Sequence, residues 1–87
     1  MEKINVTVKN ESGLHARPAS LFVKEAGKFE SEIFIVKDDK EVNGKSIMGV
    51  MSLGAKSGTE LTIKAEGSDA KEALEALEQL IKSNFGE

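Results

Sequence analysis

The sequence contains no cysteine, tryptophan or tyrosine, and it has one histidine, one arginine and one proline among its 87 residues. Without cysteine the chain can form neither a disulfide nor a thiolate metal site, and it has no thiol nucleophile. One histidine rules out a multi-histidine metal site within a single chain. We therefore expect no metal and no cofactor. The histidine, arginine and proline that each occur once are the first candidates for a functional site.

Charge and hydropathy argue against two further classes of protein. The formal net charge is −3, so a general affinity for nucleic acid is not expected. No apolar run approaches the length of a membrane span, and the N-terminus does not resemble a signal peptide. The length predicts one domain, residues 1–87, with one modest core. We expect a cytoplasmic protein without membrane insertion.

The three single residues all lie in segment 13–19, which has the sequence GLHARPA. The run 10–13 suits a loop, and an apolar-periodic segment that contains Phe22 and Ala26 follows. Proline has a fixed φ and no N–H, so it suits the first turn of a helix. The segment therefore predicts a helix that begins with His15 at or beside its N-cap.

A helix N-terminus beside an imidazole and a guanidinium is suited to binding an anion. The first N–H groups of a helix are unpaired and carry partial positive charge. Arg17 adds a planar fork that fits phosphate or carboxylate. This arrangement predicts that His15 carries a phosphoryl group. The alternative is a surface capping residue without chemistry, which the coincidence of His15, Arg17 and a helix start disfavours.

Hydrophobic periodicity predicts the element order β-α-β-β-α-β-α. Strands are expected at 4–8, 33–36, 40–42 and 61–65, and helices at about 16–27, at 46–53 and from a cap at Ser68 or Asp69 to Gly86. Alternating strands and helices with one apolar stripe predict an α+β fold, in which the helices cover one face of an open sheet and the other face is polar. The pattern alone does not give the order of the strands.

Segment 46–53 carries more apolar side chains than one buried stripe requires. Val50 and Leu53 share one side and can reach the core. Three others lie on another side: Ile47, Met48 and Met51. Methionine adapts to several partners, so these three residues suggest a docking patch. The alternative, that all of them belong to the core, is equally compatible with the periodicity.

Segments 13–19 and 45–54 (KSIMGVMSLG) resemble the two signature segments of the HPr family. Its members are histidine-containing phosphocarriers of the bacterial phosphoenolpyruvate-dependent sugar phosphotransferase system. Chain length and element order match as well, so the resemblance covers the whole chain. It implies an open-faced β-sandwich, with a four-stranded antiparallel sheet in the order 1-4-2-3 covered on one face by three helices.

The resemblance also implies a function. His15 would accept a phosphoryl group on Nδ1 from enzyme I and donate it to enzyme IIA domains of sugar permeases, while Arg17 would stabilise that group. Ser46 matches the serine that HPr kinase/phosphorylase modifies in many Gram-positive bacteria, and a catabolite-control transcription factor is a further implied partner. The chain would be a carrier rather than an autonomous enzyme, and its need to meet several partners favours a monomer.

The implied partner-binding face consists of Ser12, Ala16, Ser20, Lys24, Ile47, Met48 and Met51. Ser20 departs from the family pattern, which usually has a small apolar residue there, and Ser12 stands where some members have asparagine. One rival function is a paralogue in another circuit, such as nitrogen-related regulation or a dihydroxyacetone kinase relay. The other is a regulatory binding module that is not phosphorylated. Segment 47–49 favours the sugar system, and the presence of His15 argues against the module.

Overall fold

The chain, described over residues 1–86 by a computed structural model, forms four strands and three α-helices. They follow in the predicted order: β1 (Glu2–Thr7), α1 (Ala16–Ala26), β2 (Glu32–Lys37), β3 (Lys40–Asn43), α2 (Ile47–Ser52), β4 (Glu60–Glu66) and α3 (Ala70–Lys82), with a short 3-10 turn at Asn84–Gly86. No helix within residues 1–86 is both long enough and apolar enough to cross a membrane.

The four strands form one antiparallel sheet in the order β1-β4-β2-β3. Ile63 of β4 pairs with Ile4 of β1 on one side and with Ile35 of β2 on the other, which places these side chains on the same face. On the opposite face the Thr62 hydroxyl donates to Asn5 Oδ1 at 2.8 Å. The predicted open-faced arrangement and strand order are confirmed.

Helices α1 and α3 each bury one apolar stripe in the core on the apolar face of the sheet. In α1 the buried residues include Phe22 and Ala26, as the spacing predicted, and in α3 they include Leu77 and Ile81. Helix α2 is only six residues long and buries Val50 alone. Because so little of α2 enters the core, most of its surface is available for other contacts.

The prediction that the last helix extends to Gly86 is wrong. Helix α3 ends at Lys82, and Asn84 and Phe85 adopt left-handed backbone angles, with φ of 55° and 57°. The resulting turn packs against α1 and α3, and the Phe85 ring is buried. The two left-handed residues together cost about 2–4 kcal/mol, and burial of the Phe85 ring, worth about 1.5–3 kcal/mol, offsets most of that cost.

Asp69 lies at the predicted cap position of α3, but its side chain makes no capping hydrogen bond. The carboxylate instead accepts from the backbone N–H groups of Glu30 and Ser31, each at 2.9 Å, and from the Ser31 hydroxyl. These donors, the Ser31 hydroxyl first and the Glu30 N–H second, lower the pKa of Asp69 below its usual value. Asp69 therefore ties the segment before β2 to the start of α3.

Asp69→Asn is expected to reduce the dependence of stability on acid pH. A carboxyl whose pKa is lowered by folding stabilises the protein above about pH 4, and this contribution is lost as pH falls through the folded-state pKa. The free energy of unfolding of Asp69→Asn should therefore be lower than that of the wild type at neutral pH, and the two free energies should converge once the pH falls below the folded-state pKa. Urea titrations measure both.

Asp39→Asn is the matched control, because Asp39 is exposed in the β2–β3 turn. We expect it to keep the wild-type pH profile. If Asp69→Asn followed that same profile, the contacts with Glu30 and Ser31 would contribute nothing to stability.

Candidate functional site

The N-terminus of α1 is open and positively polarised. His15 is its N-cap, with extended backbone angles (φ −83°, ψ −170°) and no side-chain capping bond. The His15 carbonyl accepts from Ala19 N–H at 2.8 Å. Among the described residues, the N–H groups of Ala16 and Arg17 have no backbone acceptor, and no acidic side chain lies in the first turn. An anion can therefore bind to these amides.

His15 and Arg17 both lie at the surface. The Arg17 guanidinium takes part in none of the ion pairs formed by residues 1–86. A guanidinium without a carboxylate partner has its N–H donors available for two parallel hydrogen bonds to a phosphate. Over the same residues, no three His, Cys, Asp or Glu side chains come together in a cluster that could hold a metal ion.

The loop before His15 is held from inside by Asn10, which sequence reasoning assigned only to a loop. Asn10 is 3% exposed, and its Nδ2 donates to the Gly13 carbonyl at 2.8 Å and to Ser12 Oγ at 3.2 Å. Its Oδ1 has no partner among the described residues. A second contact comes from another loop: Leu14 N–H donates to the Ala55 carbonyl at 2.9 Å. The backbone that carries His15 is thus fixed to the loop that follows α2.

His15 lies at the edge of a shallow depression that joins the two signature segments. The depression is lined by Leu14, His15, Met51, Gly54, Ala55 and Lys56. Lys56 is exposed there and adds a cation to the surroundings of the imidazole. Lys56 is not among the candidate residues predicted from the sequence, and its position two residues after the second signature segment was the available signal.

The exposed side of α2 carries the three apolar residues whose placement the periodicity left open. The exposed fractions are 43% for Ile47, 79% for Met48 and 36% for Met51, whereas Val50 and Leu53 are buried. The core alternative for these three side chains is therefore wrong. We call Ile47, Met48 and Met51 the apolar patch.

Helix α2 is capped at both ends by polar side chains. Ser46 Oγ accepts from Gly49 N–H at 3.1 Å and so caps the N-terminus of the helix. At the other end, Lys40 Nζ donates to the Ser52 carbonyl at 2.9 Å and Lys37 Nζ donates to the Leu53 carbonyl at 3.1 Å. Cations at C-terminal carbonyls stabilise a helix, so the β2–β3 hairpin helps to hold the apolar patch in place.

The remaining candidate residues are all exposed. Ser12 lies in the loop before α1, Ala16 begins that helix, and Ser20 and Lys24 follow one and two turns later. Helix α1 also packs against α2. His15 and Met51 share one depression, and the rest of the candidate face extends from it along these two helices.

Comparison with known proteins identifies the family. The PTS-HPr family model, described as the PTS HPr component phosphorylation site, matches residues 2–83. The chain belongs to the HPr family. The HPr-like protein Crh of Halalkalibacterium halodurans is 58% identical over 77 residues, which cover 88% of this chain and 92% of that protein. The phosphocarrier protein HPr of Mycoplasma capricolum is 49% identical over 79 residues, which cover 91% and 89%.

Solved structures of HPr agree with the fold. The crystal structure of HPr-C-His from Thermoanaerobacter tengcongensis matches with a TM-score of 0.97 at 54% identity, covering 100% of this chain and 98% of that one. An HPr dimer from the same organism matches with a TM-score of 0.81, also at 54% identity, covering 100% of both chains. Since HPr structures include a dimer, the expectation of a monomer stays a prediction for this chain.

Proposed function

We propose that this chain is the phosphocarrier of a bacterial sugar phosphotransferase system. In this proposal His15 accepts a phosphoryl group on Nδ1 from phospho-enzyme I and donates it to enzyme IIA domains. The observation that carries the proposal is the exposed imidazole of His15 at the open N-terminus of α1. A carrier needs a reachable nucleophile and an anion site that does not enclose it, and this arrangement supplies both.

The residues around His15 have distinct roles in this proposal. The imidazole nitrogen forms a bond to phosphorus as the bond between phosphorus and the enzyme I histidine breaks. The amides of Ala16 and Arg17 and the Arg17 fork then hold the transferred oxygens. The phosphoryl group remains exposed to partners because no side chain of the described chain covers it. The bond between nitrogen and phosphorus is labile, so the group remains transferable.

The test is to phosphorylate the purified protein with phosphoenolpyruvate and enzyme I. Intact mass and phosphorus NMR should detect one acid-labile phosphoryl group, which should discharge onto a sugar-specific IIA domain. Phosphorylation without discharge onto any sugar IIA domain would favour a paralogous circuit. A folded protein that accepts no phosphoryl group would contradict the carrier proposal.

Arg17→Ala is expected to slow phosphoryl transfer about 10- to 100-fold, because one donor to the transferred oxygens is lost. Rapid-quench measurement of transfer from phospho-enzyme I gives the rate. Arg17→Lys is the matched control, since it keeps the charge but not the planar fork, and we expect an intermediate rate. Urea unfolding should not distinguish the three proteins, because Arg17 is exposed. A wild-type rate in Arg17→Ala would remove this residue from the mechanism.

Partner binding is proposed for the surface that continues from His15 along α1 and α2. The apolar patch would supply its apolar part, and Ser12, Ala16, Ser20 and Lys24 its rim. A cluster of exposed apolar side chains surrounded by polar residues is typical of a protein interface. The same face would meet enzyme I and IIA domains in turn, which the adaptable methionines permit.

Ser46 is the proposed site for HPr kinase/phosphorylase. Its hydroxyl is half-buried as the cap of α2, next to the apolar patch. A phosphate there would keep a negative group at the helix N-terminus while it adds a charge of up to about −2 to the docking face. Phosphorylation would therefore preserve the fold and repel an acidic partner surface. The modified form would be the one that a catabolite-control transcription factor recognises.

Ser46→Asp is expected to lower kcat/KM for phosphorylation by enzyme I about tenfold or more, because a charge is added to the docking face. Ser46→Asn is the matched control: Asn and Asp cap helices about equally well, so the two variants differ mainly in charge. Steady-state kinetics with enzyme I compare them. Equal kinetics for the Asp and Asn variants would remove the electrostatic basis of this regulation.

A regulatory binding module is the second candidate, favoured by 58% identity to the HPr-like protein Crh. In that case His15 would accept no phosphoryl group from enzyme I, and the chain would act by binding a partner. The phosphorylation experiment separates the two functions, because only the carrier discharges onto a IIA domain.

For either function we propose a single cytoplasmic domain over 1–87 that is monomeric. Sedimentation velocity tests the oligomeric state.

A further inference from the structure

All the sulfur of this chain is in three methionines, because it has no cysteine. It also lacks tryptophan and tyrosine, two other oxidisable side chains. A peroxide therefore finds its most reactive protein targets in the thioethers of Met1, Met48 and Met51. Two of these three methionines belong to the apolar patch, and the third lies at the start of the chain.

The exposed fractions of the thioether side chains predict which of them react first. Met48 is 79% exposed and Met1 is 69% exposed, whereas Met51 is 36% exposed and lines the depression beside His15. Oxidation of a thioether by a peroxide requires the oxidant to reach the sulfur atom. Met48 should therefore be oxidised about as fast as Met1 and faster than Met51.

We propose that peroxide oxidises Met48 first and Met51 second, and that this reversible oxidation blocks the docking of partner proteins on the apolar patch. The proposal rests on the function proposed above, in which the apolar patch binds enzyme I and IIA domains. In the reaction, a sulfur lone pair attacks one oxygen of hydrogen peroxide and the O–O bond breaks. The sulfur gains that oxygen and is oxidised by two electrons, while the other oxygen takes both protons and leaves as water.

The product changes the docking face without disturbing the core. A sulfoxide is polar and accepts hydrogen bonds, so burying it in an apolar interface without a donor is unfavourable. Helix α2 is held by buried Val50 and by its caps, Ser46, Lys37 and Lys40, and not by the Met48 side chain. Because His15 itself is unchanged, oxidation should raise KM and leave kcat nearly constant.

Methionine sulfoxide is reduced back to methionine by two reductases, one for each epimer of the sulfoxide. Docking should therefore recover fully when both enzymes are added. Recovery distinguishes a switch from damage, because oxidation of the imidazole or scission of the backbone is not reversed by these reductases.

The experiment treats the full-length protein with graded hydrogen peroxide and locates the sulfoxides by peptide mass spectrometry. Each sample is then phosphorylated by enzyme I and phosphoenolpyruvate. Full oxidation of Met48 should raise KM about tenfold, which corresponds to about 1.4 kcal/mol of lost binding. Met48→Leu and Met51→Leu keep similar volume and lack the oxidisable sulfur, so peroxide treatment should not change the KM of the double variant from the value that this variant has before treatment.

Met1 provides an internal control. Strand β1 follows it and leads towards the loop before α1, so Met1 lies at the opposite end of that strand from the His15 loop. In the double Leu variant, Met1 remains oxidisable, and its sulfoxide should leave KM unchanged.

The results distinguish failure of the oxidation switch from failure of the carrier function. A raised KM that needs the Met48 or Met51 sulfoxide and is reversed by the reductases supports the switch. An unchanged KM in protein oxidised at Met48, or an equal loss in the double Leu variant, overturns it. If untreated protein accepts no phosphoryl group from enzyme I, the carrier proposal itself fails and the switch fails with it.

Discussion

His15→Ala is expected to abolish phosphoryl acceptance from enzyme I and to leave the fold intact. The chain has no second imidazole, so no other side chain can form a phosphohistidine. The side chain is exposed and makes no capping hydrogen bond. Its loss should therefore change the free energy of unfolding by only about 0.5 kcal/mol or less.

Intact mass after incubation with phosphoenolpyruvate and enzyme I measures this effect. Ser46→Ala is the matched control, because it removes the other proposed phosphorylation site and keeps the imidazole; it should accept one phosphoryl group as the wild type does. An acid-labile phosphoryl group on His15→Ala would assign the chemistry to another residue.

Gly13→Ala is expected to have the largest effect on stability, lowering the free energy of unfolding by about 2–5 kcal/mol. Gly13 has a φ of +63°, where a side chain is strained. A Cβ at this position would overlap the Ala55 carbonyl oxygen and lie 2.9 Å from Lys56 Cα. Both atoms are backbone, so they can move only if the loop after α2 moves.

Gly54→Ala separates the two causes of this effect. Gly54 has a nearly identical φ of +62°, but a Cβ there would meet nothing within 4 Å. It should lower stability only by the conformational cost of about 1–2 kcal/mol. Urea titrations of the two variants give the difference. If both lost the same amount, the close approach of Gly13 to Ala55 would have no energetic consequence.

Local patterns in the sequence predicted most of the fold that positions the site. Alternation located all four strands, although β1 is Glu2–Thr7 rather than 4–8. Proline in the first turn and the loop before it placed His15 at the helix N-cap. These features depend on residues close together in the chain, which periodicity and capping rules describe.

Features that depend on distant partners were not predictable in this way. Ser68 or Asp69 was expected to cap α3, but the donors that bind the Asp69 carboxylate lie at Glu30 and Ser31. Lys37 and Lys40 bind the end of α2 across a sequence gap that no local rule spans. The strand order followed from the family resemblance alone, since alternation does not state which strands are neighbours.

The exposure of the apolar patch was predictable only in part. Ile47, Met48 and Met51 were separated from Val50 by helical geometry, which is a local property. Whether the second side faced solvent depended on whether another element covers it. In the structure none does over residues 1–86, since all three side chains are exposed.

The position of β1 in the sheet also affects how the chain folds while it is being synthesised. Strand β1 pairs only with β4, and the register joins Glu2 to Ala65. At about 5–20 residues per second, a ribosome takes roughly 3–12 seconds to complete β4 after it has made β1. During that interval the nascent strand has two unpaired edges. The exposed polar residues Glu2, Lys3 and Asn5 discourage it from pairing with other chains before its partner emerges.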